Sequence, residues 1–164
     1  MKLFIRSAIP VCVVALITAG GLSARPAAQQ AAAPLSLDAR IPLDPAVRTG
    51  TLPNGLTYFV RQNGRPANRL SLRLAVKAGS LYEADDQLGL AHLIEHMAFN
   101  GSAHFKPGEL VKYFETVGAR LGPHVNAYTS FDETVYMFDV PSDQPEIVEK
   151  ALTALSDFAG GLSL

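Results

Sequence analysis

Residues 89–101 read GLAHLIEHMAFNG, and both the fold and the chemistry turn on what this stretch becomes. Asn100-Gly101 is a helix stop signal, and Asp85 and Asp86 lie just upstream as short acceptors suited to a helix start. The spacing therefore predicts a helix from about Gln87 to Phe99. Successive residues on an α-helix turn by about 100°. With His92 at 0°, His96 falls at about 40°, Glu95 at about 300° and Phe99 at about 340°. Leu90, Leu93, Ile94 and Met97 fall between about 100° and 200°. The expectation is one apolar face and one face with two imidazoles and a carboxylate.

Side chains four apart are neighbours on a helix surface, so His92 and His96 can converge on one ion. Imidazole suits zinc, and a catalytic zinc takes three protein ligands and keeps one place for water. Glu95 adjoins a ligand position and suits proton transfer better than ligation. The same residues also fit a plainer reading, two polar histidines on an exposed face with Glu95 paired to a surface cation.

Outward from this helix the pattern alternates. Val47–Leu52 and Leu56–Arg61 read as strands around the turn Pro53-Asn54-Gly55. Leu70–Val76 alternates apolar and polar residues as a half-buried strand does. Downstream, Pro107–Gly118 reads as a helix with proline in its first turn. Val125–Thr129 and Thr134–Val140 read as strands joined at Ser130–Glu133, and Pro145–Phe158 as a last helix. The order β-β-β-α-α-β-β-α implies an α+β fold with a mainly antiparallel sheet and helices packed on it.

The 164 residues are 48% hydrophobic and 18% charged, enough apolar material for a core. Fourteen Lys and Arg against fifteen Asp and Glu leave a net charge of −1, with no basic stripe, so nucleic acid is not an expected partner. Lys2 and Arg6 precede an apolar run, Ser7–Ala19, and small residues close it at Ser23 and Ala24. This is the layout of a secretory signal peptide over residues 1–24. The run is shorter than the roughly 20 residues that span a bilayer, so export to the periplasm or medium is expected and a stable membrane span is not. Cys12, the sole cysteine, lies within that run. Residues 25–44, rich in Ala, Pro and Gln, read as a flexible lead-in.

His92, Glu95 and His96 together resemble the pitrilysin/insulinase family of inverted zinc metalloproteases, whose signature is H-x-x-E-H. The likeness includes Ala78-Gly79-Ser80, Glu83, Gly89 to Ser102, and Val125 to Pro141. It reaches over nearly everything from about residue 48 onward. It implies an exported bacterial zinc endopeptidase in which His92 and His96 bind Zn2+ and Glu95 is the general base acting on a zinc-bound water. It further implies that Asn126-Ala127-Tyr128-Thr129 is an edge strand to which an extended peptide adds as another strand. Asn126 and Ala127 would contact that peptide, with a turn or bulge role for Asn126 equally open. The family's third ligand is a later glutamate, which the resemblance puts beyond Leu164. Glu146 and Glu149 come too early, Asp143 and Asp157 do not match, and His104 and His124 read as ordinary loop residues. Residues 45–164 thus read as an incomplete N-terminal metalloprotease domain, inactive without a downstream region that holds a second homologous domain. The alternative is a non-catalytic partner subunit of a related peptidase, against which the intact His92, Glu95 and His96 argue.

Overall fold

In the computed structural model, which describes residues 38–163, the elements follow the expected order. β1 (Val47–Thr51) and β2 (Thr57–Arg61) pair antiparallel as a hairpin, with Gly50 opposite Tyr58. β3 (Arg69–Val76) is followed by a single 3-10 turn at Ser80–Tyr82 and then by α1 (Leu90–Asn100) and α2 (Glu109–Thr116). β4 (Val125–Thr129), β5 (Thr134–Pro141) and α3 (Pro145–Gly160) complete the chain order. The second sheet has the order β3-β5-β4 with both pairings antiparallel. The last strand in the sequence is therefore the central one, and β4 is left as an edge. The signal-peptide reading lies outside the described residues. So does most of the lead-in, whose described part, residues 38–44, carries no helix or strand.

β3 alternates between exposed and half-buried positions along its whole length, as its sequence requires. Its inward residues Leu70, Leu72, Leu74 and Val76 pack against a core built on β5 and α3. Phe138 and Val140 of β5 are fully buried, as are Ile147, Ala151 and Ala154, spaced along one face of α3. Phe158 meets Phe138 edge-on with ring centroids 5.7 Å apart, and Phe114 of α2 meets Phe138 at 5.1 Å. Lys150 lies over the Tyr113 ring at 4.1 Å and pairs with Glu146 at 3.1 Å, joining α3 to α2.

The orientation of α1 differs from the expectation. Its buried residues are Glu95 and Ala98, while Leu90 and Leu93 are 41% and 56% exposed. The face turned inward is the one at about 240–300°, carrying Ala91, Ala98 and Glu95, and not the leucine face. Two alanines let the helix backbone come close to β4 and β5, which branched or long residues would prevent. The helix start also differs. It begins at Leu90 after Gly89, whose φ of 88° only glycine adopts readily, and neither Asp85 nor Asp86 caps it.

Candidate active site

His92 and His96 lie one turn apart on α1 with their Nε2 atoms 3.1 Å from each other and ring centroids 4.8 Å apart. Both rings are exposed. Two imidazole nitrogens bound to one tetrahedral zinc stand about 3.3 Å apart, so the pair fits such an ion with little adjustment. Among the described residues no third His, Cys, Asp or Glu joins them to complete a ligand set.

Glu95 sits between them in sequence but faces the sheet, and is only 8% exposed. Its Oε2 accepts a hydrogen bond of 2.6 Å from the Thr129 hydroxyl, the last residue of β4. That bond ties the carboxylate to the edge strand and fixes which oxygen remains for other work. Burial first, and then the nearby negative charge of Glu95, push the Tyr136 phenol up to about 12. Tyr136 therefore stays neutral beneath the site.

Beside His92 opens a groove of about 570 Å³ lined by Ser80, Glu83, Gly89, His92 and Tyr128–Phe131. Its wall is the edge strand β4. Val125 has its amide and carbonyl on the 120–122 turn, donating to Arg120 O and accepting from Gly122 N. The same outward parity in an antiparallel strand falls on Ala127 and Thr129. Asn126 is exposed, and its own Oδ1 accepts from the Ala127 amide at 2.9 Å. The edge is thus partly closed by its own side chain. Tyr128 points to the exposed face, where its hydroxyl donates to Glu133 at 2.7 Å.

The other two histidines lie apart from this cluster, as ordinary polar residues do. His124 accepts from the Arg120 amide through Nδ1 at 3.2 Å and closes a turn. The His104 Nδ1 donates to Asp157 Oδ1 at 2.8 Å, so this loop histidine has a structural bond that its sequence context did not announce. Two positions near the groove have roles that the sequence reading did not assign. Thr129 carries no motif of its own, and its hydroxyl matters only because α1 lies across β4. Glu83 accepts from the amides of Gly89 and Ala91 at 2.7 and 2.8 Å. The signal available for it was a helix start without Ser, Thr, Asp or Asn at position 89, which leaves the first amides in need of another acceptor.

An antiparallel sheet edge set against a helix with two imidazoles and a carboxylate in H-x-x-E-H order defines the class of inverted zinc peptidases. The family model described as Insulinase (Peptidase family M16) matches residues 58–161, and the chain belongs to that family. It is 46% identical over 110 residues to a zinc protease PQQL-like protein of Arabidopsis thaliana, covering 67% of this chain and 12% of that protein. It is 38% identical over 129 residues to the probable zinc protease PqqL of Haemophilus influenzae, covering 79% of this chain and 14% of that one. The crystal structure of the periplasmic protease PqqL from Escherichia coli is similar with a TM-score of 0.72 and 38% identity, over 76% of this chain and 14% of that one. The chain thus spans about one-seventh or less of the length of these relatives.

Proposed function

We propose that this chain carries the metal-binding helix and the substrate-facing edge of a zinc-dependent endopeptidase that cuts extended peptides. The observation that carries the reading is the His92–His96 pair, Nε2 to Nε2 3.1 Å, beside a Glu95 carboxylate that Thr129 fixes to the edge strand. His92 and His96 would hold Zn2+ together with a glutamate from a later helix of the same domain, beyond Leu164. When bound, zinc supplies Lewis acidity and water activated near neutral pH.

The chain's own residues do the rest. Glu95 takes a proton at its free carboxylate oxygen and passes it to the leaving amine, while Thr129 holds the other oxygen. A peptide adding to β4 meets the outward groups of Ala127 and Thr129. It displaces the Asn126 carboxamide from the Ala127 amide, which frees Asn126 to bond the peptide backbone. Residues 1–24 direct export, in keeping with the periplasmic location of the Escherichia coli relative. Residues 45–164 are the first part of a metalloprotease domain that needs the downstream region for turnover.

The test separates ligands from base in a protein that unites this chain with the downstream region. His92→Ala or His96→Ala should lose zinc, read by metal analysis. Glu95→Gln should keep zinc and lose cleavage of a quenched fluorescent peptide by at least a hundredfold. Loss of zinc from Glu95→Gln as complete as from His92→Ala would overturn these roles.

A further inference from the structure

Ala78–Glu83 forms the segment between β3 and α1, and it is tied down at both ends. Ser80 N donates to Ser130 O at 3.1 Å and Leu81 N to Phe131 O at 2.8 Å, which fastens the segment to the β4–β5 turn. The Ala78 carbonyl accepts from the Thr134 hydroxyl at 2.9 Å. A side chain at Gly79 would collide with the Ser130 carbonyl oxygen and come within 2.8 Å of the Phe131 carbonyl, so only glycine permits this approach. At the far end, Glu83 crosses to the start of α1 and takes the Gly89 amide on one carboxylate oxygen and the Ala91 amide on the other.

His92 is the third residue of α1. It therefore stands in the first turn, where amides lack intrahelical acceptors and fraying begins. His96 and Glu95 stand a turn further in. The Gly89 N-cap offers no side chain to steady that first turn. The anion of Glu83 does so instead, at the end of the helix where negative charge is favoured. The amides of Ala91 and Gly89 in turn hold the Glu83 carboxyl below the usual carboxylate range.

We propose that Ala78–Glu83 is a strap that sets His92 against both His96 and the peptide-binding edge, with Glu83 its positioning residue. Each oxygen of Glu83 takes a backbone amide at the helix start, which makes its role one of positioning. The proposal rests on the zinc reading of His92 and His96 for its purpose, though not for its geometry. It joins the substrate strand to the metal helix through one carboxylate, so the two move as a unit.

The experiment compares Glu83→Gln and Glu83→Asp with Glu109→Gln in the full chain by nuclear magnetic resonance. Glu109 accepts from the Lys106 amide at 3.0 Å at the start of α2, a different helix from that of His92 and His96, and controls for general loss of a helix cap. In metal-free protein, Glu83→Gln should speed exchange of the Ala91 amide at least tenfold and abolish the contact between the His92 and His96 rings. Glu83→Asp, one methylene too short to reach both amides, should give an intermediate effect. Zinc titration followed at the two rings should show affinity about tenfold weaker in Glu83→Gln, with Glu109→Gln unchanged throughout. Unchanged exchange and ring contact in Glu83→Gln would overturn the proposal. So would opened amides with the ring contact kept, or an equal effect from Glu109→Gln. Failure of zinc to shift the rings of the unaltered protein would defeat the zinc reading alone, while exchange and ring contact still decide the strap.

Discussion

Replacing Asp157 by alanine should destabilise the protein by about 3 kcal/mol, for reasons that can be counted bond by bond. Asp157 is 4% exposed on the inner side of α3. Its Oδ2 accepts from the Ser102 hydroxyl at 2.7 Å and from the His104 amide at 2.9 Å, and its Oδ1 from the His104 ring at 2.8 Å. The His104 side chain is 67% exposed, so water can replace that third bond. The Ser102 hydroxyl is buried and the His104 amide bond part-buried, and each donor loses a charged acceptor worth about 1.5 kcal/mol net. Asp157→Asn keeps one acceptor oxygen and should lose about half as much. The pH dependence has a definite sign. Burial works to raise the Asp157 carboxyl, but the bonds from Ser102 and His104 outweigh it and hold the group below its ordinary range. A depressed carboxyl stabilises the fold above its unfolded value, about 3.9, and loses that contribution as pH falls through the folded value. Urea denaturation of wild type and Asp157→Ala should therefore give a gap that is constant from pH 5 to 8 and narrows below about pH 4. A gap under 1 kcal/mol at neutral pH, or one that widens in acid, would refute this account of the bond network.

Phe138→Ala, at the centre of the aromatic cluster and fully buried, should cost about 3–5 kcal/mol in the same denaturation assay. Leu93→Ala, on the exposed side of α1, should change stability by less than about 0.5 kcal/mol in the isolated chain. Expressed with its own N-terminus in a Gram-negative host, the chain should yield a periplasmic product that begins near Arg25, read by intact-mass spectrometry. Full-length protein confined to the cytoplasm would refute the export reading.

Element order was readable because the sequence alternates cleanly. β3 shows its period of two in Leu70, Leu72, Leu74 and Val76, and Asn100-Gly101 marks the end of α1 where the helix does stop. The histidine spacing likewise survives intact, since i, i+4 neighbours meet wherever the helix turn that carries them is formed. What failed was the choice of face. Rotation angles sort residues around a helix but do not say which side meets the sheet, and here close approach through Ala91 and Ala98 prevailed over the larger leucines. Thr129 and Asp157 act on partners thirty-four and fifty-five residues away. Such partners are joined only by tertiary structure, beyond the reach of local pattern. The central place of β5 was hidden for the same reason.

That central place bears on how the chain is made. Leu70 of β3 waits for Val140, seventy residues on, before it has a neighbour. At about 5–20 residues per second, synthesis leaves β3 alone for several seconds. β4 cannot help, since it bonds only to β5. α1 and its two histidines are therefore made before the surface they rest on, and the nascent chain carries an unpaired strand and a bare helix until its last hairpin closes. Export of an unfolded chain would suit this order.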